Sequence, residues 1–197
     1  MDKMQDREPE KANRMTAVGS IQLKRWGEAG KHEELITDID AIFFSASVTQ
    51  EFPSPSVRDA FRERWLGRYL EHDPSWFYVA LAGDRAIGYL AGCLDDPART
   101  PRFADIDYFA SFVDLTRDYP AHLHINLDEN YRNSGLGTRL IERFAGDAAA
   151  AGVRGVHVVT GARSRNRSFY NRNGFVALRE LVQDPKEVVF LGRRLPA

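Results

Sequence analysis

The stretch Leu127 to Thr138, L-D-E-N-Y-R-N-S-G-L-G-T, constrains this chain more than any other. A short apolar segment, H-L-H-I-N-L, runs into it, and an amphipathic pattern runs out of it. Between them lie Arg132, Asn133, Ser134, Gly135, Leu136 and Gly137. Two glycines one residue apart tolerate backbone angles that other residues resist and let backbone approach a bulky ligand. The first turn of the following helix has N–H groups without internal partners, and its dipole places partial positive charge there. Strand, glycine turn and helix N-terminus therefore make an anion cradle, most often for phosphate. Arg132 adds a permanent positive charge, and a phosphate-bearing cofactor is expected here.

The surrounding pattern is that of one α/β domain. Residues 1–18 are polar, charged in both signs and aperiodic, which predicts a mobile tail, or an early start with Met15 as the true one; the folded domain spans 19–197. Ile21 to Lys24 alternates like a strand. Glu28 to Ser47 is helical with Leu35, Ile36, Ile39, Ile42 and Phe43 as its apolar face. Ser56 is read as the cap of a second helix carrying Val57, Phe61, Trp65, Leu66 and Tyr69. Trp76–Leu81 and Ala86–Leu94 form a hairpin around Ala82-Gly83-Asp84-Arg85. Asp95 to Tyr119 reads two ways: a functional connection, or a helix covering the sheet with its aromatics in the core. Ala121–Leu127, Gly135–Ala151 and Val156–Thr160 read as strand, helix, strand, with parallel pairing expected. A short helix, Ser164 to Asn173, and two closing antiparallel strands, Phe175–Leu181 and Val188–Leu195, complete the chain.

Composition narrows the classes. Lys and Arg total 27 against 28 Asp and Glu, a balance that argues against a general nucleic-acid partner. The single cysteine, Cys93, sits in an apolar run and reads as a buried structural thiol. No apolar run approaches the roughly 20 residues a bilayer crossing needs, so no membrane partner is expected. The charged N-terminus lacks a signal-peptide core, and a cytoplasmic protein, monomeric or homodimeric, is expected.

Two signatures together resemble the GNAT superfamily of acyl-CoA-dependent N-acetyltransferases. The first, R/Q-x-x-G-x-G/A, is met by Arg132, Gly135 and Gly137, with an apolar residue, Leu127, five positions before the arginine. The second, an Asn followed by F-Y-x-x-x-G-F, is met by Asn166, Phe169, Tyr170, Gly174 and Phe175. The central strand A-H-L-H-I-N-L is similar to that of acetyltransferase-like domains related to the C-terminal part of O-GlcNAcases. That group commonly carries an aspartate where this chain has Asn126.

The resemblance implies a mixed, mostly antiparallel central sheet flanked by helices, with a parallel strand pair that splays apart. It implies acetyl-CoA as co-substrate and no metal. The coenzyme's pyrophosphate would lie on the amides of Arg132, Asn133, Ser134, Gly135, Leu136, Gly137 and Thr138. Its pantetheine would run beside Ile125 and Leu127, with Asn166 and Phe169 alongside, Asn166 bonding it or only capping its own helix. By its place in the second signature, Tyr170 is the candidate acid for the leaving thiolate, or else a core aromatic. For the base, His122 and His124 have an intrinsic pKa of about 6.5 and share a strand face with Asn126. Two structural histidines, or no dedicated base at all, remain open at this point. The expected activity is direct acetyl transfer to a primary amine of a small molecule or protein. The alternative is an acyl-CoA-binding pseudo-enzyme that acts as a sensor, which Asn126 in place of an acid favours.

Overall fold

A computed structural model describes residues 21–183 and 186–196; the expected tail at 1–18 lies outside the described residues. In chain order, strand Gln22–Arg25 (β1) leads into a single helical turn, Trp26–Ala29 (α1), and a longer helix, His32–Ala46 (α2). Helix Pro55–Arg62 (α3) passes through a π-helical turn, Glu63–Gly67, into Arg68–His72 (α4). The hairpin is Phe77–Ala82 (β2) and Arg85–Cys93 (β3). Two short helices, Tyr108–Ser111 (α5) and Val113–Thr116 (α6), precede the central strand Ala121–Leu127 (β4). Helix Leu136–Ala150 (α7), strand Gly155–Gly161 (β5), helix Asn166–Arg172 (α8) and strands Val176–Gln183 (β6) and Lys186–Arg194 (β7) follow.

The seven strands lie in one sheet in the order β1-β2-β3-β4-β5-β7-β6. Every neighbouring pair is antiparallel except β4 and β5. The mixed sheet, the parallel pair and the flanking helices are those the sequence predicts. Alternation along the strands sends successive side chains to opposite faces. One face packs under α7, whose Leu136, Leu140, Ile141, Phe144 and Ala148 are buried with Tyr78, Leu90, Leu123 and Val158. The other packs under α2 and α4, where Leu35, Ile39, Phe43, Leu66 and Tyr69 meet Phe77, Val79, Tyr89 and Ala91. Each such fully buried apolar side chain contributes roughly 1.5–3 kcal/mol.

Three local details differ from the sequence reading. The first helix is broken at Gly30 and Lys31, both with positive φ, so α1 and α2 are separate. Ser54, not Ser56, caps α3: its Oγ accepts from the Val57 amide at 3.4 Å, and Pro55 takes the first helical position, where no N–H is needed. The π turn inserts one extra residue per turn and rotates the helix beyond it. Leu66 and Tyr69 are fully buried, as their apolar spacing predicts, whereas Val57, read on the same face, stays 47% exposed before the turn.

In the stretch between β3 and β4, packing fixes the aromatics. Phe103, Phe109 and Phe112 are buried in the core. Arg68 clamps the segment with a bidentate pair to Asp105 (2.8 Å on each oxygen), to which Arg64 Nε adds a third bond at 2.8 Å. These guanidinium contacts hold the Asp105 carboxyl down at about 2. Cys93 is buried as expected: Arg102 Nη2 donates to its sulfur at 3.0 Å, and burial pushes the thiol up to about 12. Among the described residues no helix is long and apolar enough to cross a membrane.

Candidate functional site

The glycine turn has the geometry of a cradle. Asn133 and Gly135 take left-handed backbone angles (φ 59° and 81°), and Gly135 is the N-cap of α7. No side chain caps that helix, and its first turn holds no acidic residue. The first helical bond runs from the Arg139 N–H to the Gly135 carbonyl at 3.1 Å, so the Leu136, Gly137 and Thr138 amides precede the hydrogen-bonded ladder. Alternating backbone angles of this kind turn successive N–H groups toward one point, a nest for anions. Arg132 stands beside it, with Nε fixed on the Leu127 carbonyl at 3.2 Å and its terminal amino groups left for a ligand. Ser134 braces the turn by donating to the Tyr131 carbonyl at 2.6 Å. A pyrophosphate fits this donor set, because amides and a guanidinium are offered and the first turn of α7 holds no acidic residue.

The two sequence signatures meet in space at Gly137. A Cβ on that residue would lie 2.9 Å from Phe169 Cζ and 3.5 Å from Leu127 Cδ1. A side chain at this position would push the Phe169 ring of α8 away from α7 and the end of β4. Asn166 does not cap its own helix: Arg165 is the N-cap, and Asn166 Oδ1 accepts from the Thr160 hydroxyl at 2.9 Å, tying α8 to the end of β5.

The sheet opens beside this cradle. β4 is paired with β3 along its whole length, from Cys93↔His122 to Gly88↔Leu127. Against β5 it is paired only at Ala121↔Val156 and His122↔His157. Beyond those pairs the two strands part, and among the described residues the edge of β4 from Leu123 to Leu127 that faces β5 has no strand beside it. The splay is present where an extended ligand chain could take the place of a strand.

Side chains of β4 divide between the two faces. Leu123, Ile125 and Leu127 pack toward α7, in the same cluster as Tyr170 and Phe169. His122, His124 and Asn126 share the opposite face. Tyr170 and the histidines thus lie on opposite sides of the sheet, and the gap between β4 and β5 is where both can be met. Tyr170 is 6% exposed, with its ring beside Phe169 (5.3 Å) and Phe175 (5.6 Å). Burial raises its hydroxyl pKa, so it holds its proton at neutral pH.

The three polar groups of the other face differ in environment. His122 is 3% exposed, ringed by Phe103 (4.8 Å), Tyr69 (5.7 Å), Phe109 (5.8 Å) and the His157 ring (5.5 Å). Both its nitrogens lack a hydrogen-bond partner, and burial, aided by His157 and His124, drives its pKa well below the ordinary value. The Pro120 backbone lies close enough to oppose that shift, but the contact falls short of hydrogen-bond geometry. His124 is half-buried; its Nε2 lies 3.1 Å from the Tyr69 hydroxyl, with Trp65 edge-on at 5.4 Å. Burial, and then Arg68, lowers its pKa to about 4. Asn126 Nδ2 donates to the buried Tyr89 hydroxyl at 2.7 Å.

Tyr69, Tyr89 and His157 escaped the sequence reading as site residues. Tyr69 shows there only as one apolar position of a helix and Tyr89 only as part of a hairpin. His157 lies in a β-branched run that reads as core; it stacks on Phe190 at 4.5 Å, and its Nδ1 meets the Tyr119 carbonyl. What links these residues to β4 is strand register and helix packing.

Similar solved structures share this architecture. One from Pyrococcus horikoshii OT3 is 14% identical with a TM-score of 0.68, matching 90% of this chain and 100% of its own. A polyamine N-acetyltransferase of Drosophila melanogaster that forms N-acetylagmatine is 18% identical with a TM-score of 0.63, over 89% and 100%. A NatC complex bound to a Gag peptide and CoA is 14% identical with a TM-score of 0.57, over 90% and 100%. Residues 73–177, just over half the chain, match the model of the acetyltransferase (GNAT) domain. They span the hairpin, the splayed β4, the glycine turn and α8, and the chain belongs to the GNAT family of acetyltransferases.

Proposed function

We propose that the chain binds acetyl-CoA across the end of β4 and transfers the acetyl group directly to a primary amine of a small molecule or a protein. The parting of β4 from β5 just beyond His122 and His157, beside an uncapped α7, carries this reading. Acetyl-CoA supplies a thioester, whose carbonyl is open to attack and whose sulfur leaves as a thiolate. The amides of Gly135 to Thr138 and Arg132 hold the pyrophosphate. The free edge of β4, with Ile125 and Leu127, aligns the pantetheine, and Asn166 and Phe169 flank it. A backbone N–H near Leu127 donates to the carbonyl oxygen as negative charge grows there. Tyr170, protonated because it is buried, gives its proton to the departing sulfur. Transfer is direct because the one cysteine is sealed, its thiol pushed up to about 12. His122, His124 and Asn126 form the face that the amine meets.

The likeness of the β4 sequence to that of the O-GlcNAcase-related acetyltransferase-like domains supports a place for the chain beside them within its family. Its acceptor side is formed by α2, α3 and the segment before β4. An open cleft of about 730 Å³ lies between the end of α2 and the start of α3, lined by Phe44, Phe52 and Arg58 among others. Related folds whose names record agmatine, polyamine and peptide partners support an amine acceptor of either size.

A second reading, an acyl-CoA-binding module without turnover, is favoured by Asn126, whose amide is spent on Tyr89 where an acid would otherwise stand. Thiol release from acetyl-CoA, measured with agmatine, spermidine, tyramine and a peptide N-terminus, separates the two. Amine-dependent release with at least one acceptor is expected. Tight binding with no release from any amine would establish the module instead.

A further inference from the structure

We propose that Tyr69 is a positioning residue that fixes His124 as the Nδ1–H tautomer, so that His124 offers the acyl-transfer face a hydrogen-bond donor instead of a base. The inference rests on reading the polar face of β4 as that face. It follows from proton counting around one buried hydroxyl.

Tyr69 is fully buried under Phe103, and its hydroxyl partner is His124 Nε2 at 3.1 Å. A phenol has one proton, and leaving it without an acceptor in the interior costs about 1–3 kcal/mol. The neighbouring His122 takes no bond from it, since both His122 nitrogens are unpartnered. If the Nε2–H form of His124 donated to the phenol oxygen, the Tyr69 proton would have no acceptor among the described residues. The satisfied arrangement has Tyr69 O–H donating to a bare Nε2. A neutral imidazole carries one N–H, so Nδ1 bears it.

The surroundings keep the ring neutral. Tyr69 and Arg68 face His124 from α4, Trp65 from the π turn, and His122 from its own strand, with His157 behind on β5. The one formal charge in that set is the Arg68 cation, which opposes an imidazolium; Asp105 is paired with that guanidinium and is not among the groups that act on His124. His124 is only half-buried, and its Nδ1 is not among the sealed, unpartnered nitrogens, in contrast to both of His122. A neutral Nδ1–H is therefore open to a ligand. It can orient an acceptor or meet developing negative charge, and the amine must shed its proton to water. The acidic limb of kcat/KM then follows the acceptor amine's own pKa.

The test is the tautomer itself, read by two-bond 1H–15N correlation in protein labelled with 15N-histidine, with His124→Gln assigning the resonance. The expected result is Nδ1–H between pH 5.5 and 8 in the wild type, shifting toward the more usual Nε2–H form in Tyr69→Phe. Nε2–H in the wild type, or no change in Tyr69→Phe, overturns the proposal. In thiol release, His124→Ala should lose about 10- to 100-fold in kcat/KM, the worth of one hydrogen bond to developing charge, and His124→Gln, which keeps a side-chain N–H, should recover roughly tenfold of it. Equal loss in both variants also overturns the donor role. The NMR readout needs no turnover: absent acetyl-CoA binding would defeat the functional reading alone, and a wrong tautomer would defeat this inference alone.

Discussion

Gly135→Val is expected to weaken coenzyme A binding at least about 100-fold in calorimetry, while the protein stays folded. Two effects combine. Gly135 holds φ at 81°, and a side chain in the left-handed region costs about 1–2 kcal/mol, more for a β-branched residue. Relieving that strain turns the Leu136 to Thr138 amides away from their common point. A Cβ at 135 also meets no protein atom within 4 Å, so the core does not clash and the new side chain extends into open space beside the cradle. Losing two charge-assisted bonds to phosphate, at about 1.5–3 kcal/mol each, accounts for the 100-fold figure. The same strain should lower Tm by only about 2–8 °C. Wild-type affinity in this variant would remove the turn as the pyrophosphate site.

Tyr170→Phe should lower kcat by about 100-fold or more and leave the acetyl-CoA dissociation constant within about twofold. Phenylalanine keeps the ring contacts with Phe169 and Phe175, and with them the packing of α8 against the core. What it removes is one proton. A positioned general acid contributes typically 10²–10⁴-fold, and the buried phenol is held in its protonated form. The position of Tyr170 on the α7 side of the sheet, opposite the histidines, suits proton delivery to the sulfur while the amine stands on the other side. If the residue is only a core aromatic, the variant will turn over like the wild type.

The parts of this site legible in the sequence are those built by local chain. The glycine turn, the buried stripe Leu136, Leu140, Ile141, Phe144 and Ala148, and the common face of His122, His124 and Asn126 all follow from spacing alone. Both signatures are legible as motifs, but their meeting at Gly137, where a Cβ would lie 2.9 Å from Phe169 Cζ and 3.5 Å from Leu127 Cδ1, is a product of packing. Packing decided the rest. Helical spacing already puts Leu66 and Tyr69 on an apolar face, but no periodicity announces the π turn between α3 and α4, because its extra residue breaks the register being read. The link from Asn126 to Tyr89 depends on strand register across β3 and β4. The splay depends on where pairing stops, after His122↔His157, and identical strand sequences could have paired further. The stretch 95–119 reads equally as a functional connection or as a helix covering the sheet, and what the sequence does not show is the pairing of Arg68 with Asp105 that fixes it against α4.

The most direct measurement is a crystal structure of the protein with coenzyme A. The account places the pyrophosphate within hydrogen-bond reach of the Gly135 to Thr138 amides, and the pantetheine along the free edge of β4 between Leu123 and Leu127. A coenzyme bound elsewhere, such as the cleft at Phe44 and Arg58, with the β4–β5 opening empty, would contradict it.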